Sequence, residues 1–357
     1  MGGIAGMTKQ WKTWIGVTIS VAAIVYVVRG VHWDEVGWSL RRADLGLLAL
    51  IFVINPTINV VMRAIRWKIL LKPYGSVPLA GCTSATAIGL MANNVLPVRI
   101  GEFVRAYALS RREKVPTGTA FGGLFVERML DGFALLTILF FLTLSFPFPD
   151  WVDTVVRVTL YVFVGFLAFQ AVLAFHPQAF IRASRWLTRN LLGGRFEESI
   201  ERVLVTFADG FQLLRRPDLV VLSFILAFVQ WVLISSVYVF GLQAFELGSV
   251  GWIGAFFTSC VATLGVAAPS APGFVGTYQA LIVKSLEVFG VDRTTAFSFS
   301  AGFHAVTWLG VTLLGFFFFF REGLSWREIE HSEEEMGKKL ETEFEKVIEP
   351  EIEASDL

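Results

Sequence analysis

The chain has 357 residues, of which 55% are hydrophobic and 17% charged, and its mean hydropathy is +0.63. Apolar runs of roughly 20 residues recur along it, so the composition predicts an all-α polytopic membrane protein and excludes a membrane β-barrel, whose strands would alternate over about ten residues. The net charge is zero, but residues 325–357 carry twelve acidic and four basic side chains, so the remainder of the chain is basic.

Six apolar segments are predicted to span the membrane, at residues 14–28, 45–62, 122–145, 154–175, 219–241 and 297–320. Lysine and arginine clusters, such as Arg63, Arg66, Lys68 and Lys72 after the second span, flank alternate ends of these spans, and such clusters stay on the cytoplasmic side. We therefore expect an integral protein of the cell (plasma) membrane with both termini in the cytoplasm. The predicted domains are a transmembrane domain at 1–324 and an acidic cytoplasmic tail at 325–357. An insert at 176–217 carries seven arginines and predicts amphipathic helices on the cytoplasmic surface.

A helix-breaking sequence, NNVLPVRIGEFVR, occupies residues 93–105 directly after a short apolar run. Pro97 has no backbone N–H and disfavours the helical region for Leu96, and Gly101 follows, so one continuous helix cannot pass through this stretch. Basic residues flank the whole segment on both sides. This arrangement predicts a re-entrant helical hairpin that enters from the cytoplasm and turns near Asn94.

Polar side chains within this hairpin make it a candidate site. Arg99, Glu102 and Arg105 are spaced three apart, so they would share one helix face and can pair with one another. Asn93 and Asn94 are predicted to cap the hairpin turn. Polar groups persist at membrane depth only when they are buried in protein or face a water-filled cavity. A substrate site and a structural ion-pair network both remain open for this group.

Three charged residues early in the following span extend the candidate site. Glu127 and Asp131 are four apart on one helix face, and Arg128 is able to reach Asp131. The two carboxylates would either neutralise Arg99 and Arg105 across the hairpin or contact a ligand directly. Both interpretations predict that these residues lie against the first hairpin.

A second break, APSAPGFVG, occupies residues 268–276 and includes Pro272, Gly273 and Gly276. It follows another short apolar segment, which predicts a second re-entrant hairpin that enters from the outer side. Shifting the sequence by 175 residues aligns this break with the first one and superimposes the spans on either side. Charge bias gives the two copies opposite orientations. This pattern is the signature of an inverted repeat, whose substrate site lies near the midplane where the broken helices meet.

Together these motifs resemble the lysylphosphatidylglycerol synthase transmembrane-region family, also called flippase-like. The residues that carry the resemblance are Asn93, Asn94, Leu96, Pro97, Arg99, Gly101, Glu102, Arg105, Glu127, Arg128, Asp131, Pro269 to Gly273, and Gly276. The resemblance covers nearly the whole chain and implies a stand-alone membrane domain that moves lipids between leaflets. The family often has Gly-Thr-Phe-Glu after the second break, whereas this chain has Gly276-Thr277-Tyr278-Gln279.

The predicted function is therefore a lipid translocase (flippase) that moves an anionic-headgroup lipid between leaflets. A half-helix beginning near Gly101 presents free N–H groups suited to a phosphate, and arginine forks match phosphate geometry. The lipid would be a phospholipid or a polyprenyl-phosphate-linked lipid. Two alternatives remain: an intramembrane enzyme that modifies lipid headgroups with Glu127 or Asp131 as base, and a membrane scaffold for a glycosyltransferase.

Cofactor motifs are not recognisable in the sequence. It contains no Walker motif, catalytic nucleophile or metal-ligating cluster, so we predict a transporter rather than an enzyme, with no cofactor and no bound metal. Cys82 and Cys260 are predicted to be small packing residues. The expected partners are membrane lipids with anionic headgroups, and no nucleic acid. The acidic tail could dock a protein, and the oligomeric state stays open.

Overall fold

The computed structural model describes residues 18–96, 100–175, 216–266 and 271–330, and every regular element within these ranges is helical. The helices are α1 (Thr18–Val28), α2 (Trp33–Arg42), α3 (Leu45–Leu71), α4 (Leu79–Val95), α5 (Gly101–Glu113), α6 (Thr117–Ser145), α7 (Asp150–Phe175), α8 (Pro217–Ala244), α9 (Gly251–Gly265), α10 (Thr277–Glu287), α11 (Arg293–Arg321) and α12 (Trp326–Glu330). Short 3₁₀ turns occupy Lys72–Tyr74, Gly248–Val250 and Pro272–Phe274. The predicted amphipathic insert lies outside the described residues except at its last two positions, and so does the acidic tail after residue 330.

Four helical stretches of the described chain are long and apolar enough to cross a membrane: Leu45–Tyr74, Pro217–Ala244, Gly248–Gly265 and Arg293–Arg321. The prediction of an all-helical membrane protein is therefore confirmed for the described ranges. The number of six spans stays a prediction. One of the four stretches, Gly248–Gly265, lies where the sequence predicted the entering arm of a re-entrant hairpin instead of a span.

Two long helices, α6 and α8, pack against α3 and run in the direction opposite to it. Asp44 caps α3, because its Oδ1 accepts the Gly46 N–H at 2.8 Å and the Leu47 N–H at 3.0 Å. The Asp44 N–H donates to the carbonyl oxygen of Ala244, so the start of α3 adjoins the end of α8. Near the other end of α3, the indole N–H of Trp67 donates to a carbonyl oxygen at the start of α6. Helix α3 is therefore antiparallel to both α6 and α8.

Helices α4 and α5 pack closely as an antiparallel hairpin around the first break. A Cβ on Gly89 would lie 2.6 Å from the Gly101 carbonyl oxygen and 2.7 Å from the Arg105 Cβ. Helices α9 and α10 form a second hairpin, where a Cβ on Gly265 would lie 2.5 Å from the side chain of Leu281. The approach at Gly89 requires glycine, because a larger side chain would collide with the backbone of the paired helix, whereas at Gly265 the side chain of Leu281 would have to move.

The turns of the two hairpins meet beside the middle of α11. Asn94, at the first turn, donates a hydrogen bond from Nδ2 to Thr312 Oγ1 at 2.9 Å. Gly273, at the second turn, has a φ of 65°, and a Cβ there would lie 2.7 Å from Trp308 Nε1 and 3.2 Å from the Asn94 carbonyl oxygen. Trp308 and Thr312 lie near the middle of this 29-residue helix. The fold thus brings two breaks that are distant in sequence into contact.

Candidate functional site

A cavity of about 630 Å³ lies beside the two hairpin turns, and helices from α3 to α11 contribute to its wall. Its polar wall residues include Asn55, Asn59, Arg63, Asn93, Asn94, Glu102, Arg128, Asp131, Thr263, Tyr278, His304 and Thr307. Its aromatic wall residues include Phe163, Trp231, Phe274 and Trp308. The cavity wall therefore combines charged and aromatic side chains, which suits an amphipathic ligand.

Asp131 anchors the charged side through donors on both of its oxygens. Oδ1 accepts hydrogen bonds from Arg66 Nη1 at 2.5 Å and from Trp231 Nε1 at 3.0 Å, and Oδ2 accepts from Arg63 Nη1 at 2.8 Å. The side chain is only 6% exposed, although it borders the cavity. Since a buried carboxylate needs partners to remain charged, these donors hold Asp131 in place as an ion.

Glu127 lies one helical turn earlier, behind the cavity wall. Arg105 binds it with two parallel hydrogen bonds, at 2.8 Å to Oε1 and 2.9 Å to Oε2. The Arg105 guanidinium also lies 4.4 Å from the ring centroid of Trp67. Both ionic partners are buried, and neither borders the cavity. Of the two interpretations, this geometry agrees with neutralisation of Arg105 across the hairpin.

Arg128 differs from these arginines because its side chain is 38% exposed and borders the cavity. Its Nε lies 3.5 Å from Glu102 Oε1, its Nη1 lies 3.5 Å from Asp131 Oδ2, and its Nη2 donates to Glu127 Oε1 at 3.2 Å. The predicted reach of Arg128 to Asp131 is therefore confirmed.

The expected pairing along α5 is wrong for its described members. Glu102 pairs with Arg128 and Arg105 pairs with Glu127, so both residues bind partners on α6 and not each other. The reason is geometric, because the close approach of the hairpin to α6 places opposite charges nearer than a neighbour one turn away. Arg99, the remaining member of the trio, lies outside the described residues.

Sequence reasoning missed four residues of this cluster, namely Arg63, Arg66, Gln230 and Trp231. The arginines were interpreted as topology markers at the end of a span, yet they are 4% and 0% exposed. Gln230 Oε1 accepts a hydrogen bond from Arg66 Nη1 at 3.1 Å. The one available signal was the spacing of three between the two arginines, which places them on one face of α3.

The two asparagines of the first turn have separate structural roles. Asn93 Oδ1 accepts the Gly101 N–H at 2.8 Å, which satisfies one of the orphan donors at the start of α5. The prediction that Asn93 caps the turn is therefore confirmed, and this N–H is not free to bind an anion. Asn94 instead connects the turn to α11, and both residues border the cavity.

The second turn is held by neutral polar groups. Pro272 begins its 3₁₀ turn, and a Cβ on Gly276 would collide with the carbonyl oxygen of Ser20 in α1. The Gly276 N–H donates to Gln279 Oε1 at 2.7 Å, while Gln279 Nε2 lies 2.9 Å from His304 Nδ1. The glycines and the proline shape the backbone, and they are not among the residues that border the cavity.

Comparison with known protein families identifies the family of this chain. The sequence profile of the lysylphosphatidylglycerol synthase TM region matches residues 13–315. The chain belongs to this family. At the second turn, the neutral amide of Gln279 joins the start of α10 to His304.

Three archaeal relatives are similar to this family member. The UPF0104 membrane protein MJ1595 of Methanocaldococcus jannaschii is 30% identical over 151 residues, which are 40% of this chain and 45% of that protein. Glycosyltransferase AglD of Haloferax volcanii is 33% identical over 133 residues, or 37% of this chain and 21% of that protein. The UPF0104 membrane protein MJ1078 of M. jannaschii is 20% identical over 231 residues, which are 65% of this chain and 94% of that protein. The chain thus matches less than half the length of the first two, and no solved structure matches it.

Proposed function

We propose that this protein is a lipid translocase that moves a lipid with an anionic headgroup between the leaflets of the plasma membrane. The observation that carries the proposal is the cavity at the meeting point of the two hairpin turns, whose wall contains both arginines and aromatic rings. A charged headgroup needs such a polar chamber, because its transfer through hydrocarbon is prohibitively unfavourable. The ligand would be a phospholipid or a polyprenyl-phosphate-linked lipid.

We infer that the two halves form an inverted repeat with two re-entrant hairpins, and the bounds of the helices support this inference. Adding 175 to the bounds of α3, α5 and α6 gives 220–246, 276–288 and 292–320, and α8, α10 and α11 begin and end within three residues of these positions. The two hairpins approach α11 from opposite ends and turn beside its middle. In transporters built this way, the two halves take turns in opening the central site to either side.

Chemical change of the ligand is not part of the proposal. A general base must lie within reach of the substrate proton and accept it readily, whereas hydrogen bonds from cations stabilise the charged form of a carboxylate. The oxygens of Asp131 each accept a hydrogen bond from an arginine, and both oxygens of Glu127 are bound by Arg105. These carboxylates are therefore poor bases, and we infer a transporter that needs no cofactor.

Leaflet exchange in reconstituted vesicles tests the translocase. The purified chain is placed in phosphatidylcholine vesicles that contain a trace of fluorescent phosphatidylglycerol, and dithionite quenches the outer leaflet. We expect complete quenching with the protein and about half quenching in protein-free vesicles. Fluorescent phosphatidylcholine and a fluorescent polyprenyl phosphate, measured in parallel, report headgroup preference. Exchange no faster than in protein-free vesicles, with a normal unfolding transition, would falsify the proposal.

A second candidate function is a membrane scaffold for a glycosyltransferase. The similarity to glycosyltransferase AglD favours this alternative, and the matched region is 21% of that relative's length. Under this alternative the membrane domain would present a lipid-linked acceptor to a catalytic partner. Co-purification of such a partner, together with vesicles that show no exchange, would favour the scaffold over the translocase.

A further inference from the structure

We propose that Arg128 is the residue that binds the anionic group of the ligand, and that Glu102 competes with the ligand for Arg128 and so sets the affinity. This inference rests on the proposed function only in requiring an anionic lipid headgroup. It assigns distinct roles to residues of a cluster whose other members are structural.

The exposure of the arginines separates Arg128 from the rest of the cluster. The side chains of Arg63, Arg66 and Arg105 are 5%, 0% and 2% exposed, whereas that of Arg128 is 38% exposed and borders the cavity. Arg63 also borders the cavity, but its side chain is almost fully buried. Arg128 shares Glu127 and Asp131 with the buried arginines, yet it is the most exposed cation of the described cluster and therefore the one that a ligand in the cavity can reach.

The contact lengths lead to the same assignment. The other three arginines hold the two buried carboxylates at distances as short as 2.5 to 2.9 Å. The ion pairs of Arg128 with Glu102 and Asp131 are both 3.5 Å long, and its hydrogen bond to Glu127 Oε1 is 3.2 Å long. A half-exposed ion pair of this length contributes little stability, so its donors are available to a better acceptor.

The charge balance of the cluster favours an arriving anion. Four guanidinium groups face three carboxylates among the described residues here, which leaves one net positive charge. Glu102 is the carboxylate of the three with the greatest exposure, at 26%, and Arg128 is its ion-pair partner in the described chain. A phosphodiester carries one negative charge, as Glu102 does, and offers two acceptor oxygens that a guanidinium fork can bind in parallel. Displacement of Glu102 by a phosphate would therefore improve the pairing of Arg128.

Binding measurements on the full chain in detergent micelles test these roles. The probes are dioctanoyl phosphatidylglycerol, dioctanoyl phosphatidylcholine and inorganic phosphate, and the readout is quenching of intrinsic tryptophan fluorescence. Glu102→Gln should bind phosphatidylglycerol about tenfold more tightly, because Arg128 loses its competitor, and Arg128→Gln should bind about tenfold more weakly. The double variant should match Arg128→Gln. Glu246→Gln, which removes an exposed carboxylate paired with Arg42 at the other end of the fold, should leave affinity unchanged.

The outcomes distinguish this inference from the proposed function. Tightening by Glu102→Gln for phosphatidylglycerol alone assigns the site to a lipid headgroup, and equal tightening for inorganic phosphate assigns it to the phosphate group. An unchanged affinity, or a gain that persists in the double variant, overturns the role of Arg128. Arg128→Lys, which keeps the charge without the fork, replaces Arg128→Gln if the latter unfolds, and it should bind at least severalfold more weakly. Tightened binding without leaflet exchange would contradict the proposed translocase function, but it would still support the anion site at Arg128.

Discussion

Arg105 and Glu127 form the most completely buried ion pair among the described residues, and they lie behind the cavity wall. Their two parallel hydrogen bonds and the stacking of Arg105 on Trp67 connect α5, α6 and α3. Burial of such a pair is unfavourable in itself, and removal of one partner leaves the other charge buried without a counter-charge. The pair therefore makes the first hairpin and the two helices behind it structurally dependent on one another.

For this ion pair we predict that Glu127→Gln lowers the free energy of unfolding by about 3 kcal/mol, because Arg105 loses its buried counter-charge. Glu246→Gln is the matched control, since Glu246 pairs with Arg42 on an exposed surface, and it should cost less than about 1 kcal/mol. Thermal unfolding of the purified protein in micelles compares the two. Equal unfolding temperatures for both variants would contradict the structural role of Glu127.

Asn93 supports a second prediction at the residue scale. Its side-chain oxygen accepts the Gly101 N–H, so Asn93→Ala leaves the first donor of α5 without a partner and should destabilise the protein by about 1 kcal/mol. Asn93→Asp keeps an acceptor beside the positive end of the helix and should retain most of the stability. Unfolding of both variants is measured under the same conditions. A greater loss for the aspartate than for the alanine variant would argue against the capping role.

The helical hairpin is the element that positions the charged cluster. Helices α4 and α5 approach closely enough that the Gly89 Cα lies against the backbone of Gly101 and the stem of Arg105. This approach directs Arg105 toward α6 and places Asn94 against α11. The close packing within the hairpin therefore determines where its polar groups lie.

We predict that Gly89→Ala destabilises the protein by about 1 to 3 kcal/mol, because the added methyl group would lie 2.6 Å from a backbone oxygen that cannot move independently. Gly165→Ala in α7 is the matched control, since nothing lies within 4 Å of its added Cβ. That variant should be neutral or slightly stabilised by the better helix propensity of alanine. Unfolding in micelles separates the two, and a neutral Gly89→Ala would mean that α4 and α5 pack less closely than described.

The two ends of the described helix bundle carry different ion pairs. At the end of α11, Arg112 forms ion pairs with Glu322 and Glu113, and Arg111 pairs with Glu328 at 3.3 Å. The Ser325 N–H donates to Glu328 and lowers the pKa of that carboxyl below its ordinary value, so this pair stays charged at neutral pH. These contacts join the first hairpin to α12. The opposite end contains the exposed Arg42–Glu246 pair.

Membrane-impermeant maleimide labelling tests the orientation of these ends. The clusters of basic residues beside α5 predict that its end faces the cytoplasm. We expect Glu246→Cys to react in intact cells, and Lys114→Cys to react only after permeabilisation. The native Cys82 and Cys260 are buried and should contribute little background. Reaction of the Lys114→Cys variant in intact cells would reverse the proposed topology.

Local sequence chemistry was sufficient for the class of fold and for the position of both breaks. Long apolar runs must become helices in a membrane, since every backbone N–H and C=O needs an internal partner there, and proline and glycine interrupt that pattern. The sequence also indicated Glu127, Arg128 and Asp131 as candidate site residues, because charged residues within an apolar run require partners. These inferences depend on properties of single segments, which the order of residues determines.

Tertiary packing decided which charges pair and which face the cavity. Arg63 and Arg66 were interpreted as markers of the cytoplasmic end of a span, yet they bind Asp131 across the interface with α6. Glu102 and Arg105 were expected to pair along α5, and instead each binds a residue of α6. The physical reason is that ion-pair energies depend on distances between helices, which arise from close glycine contacts and core packing rather than from spacing along one helix.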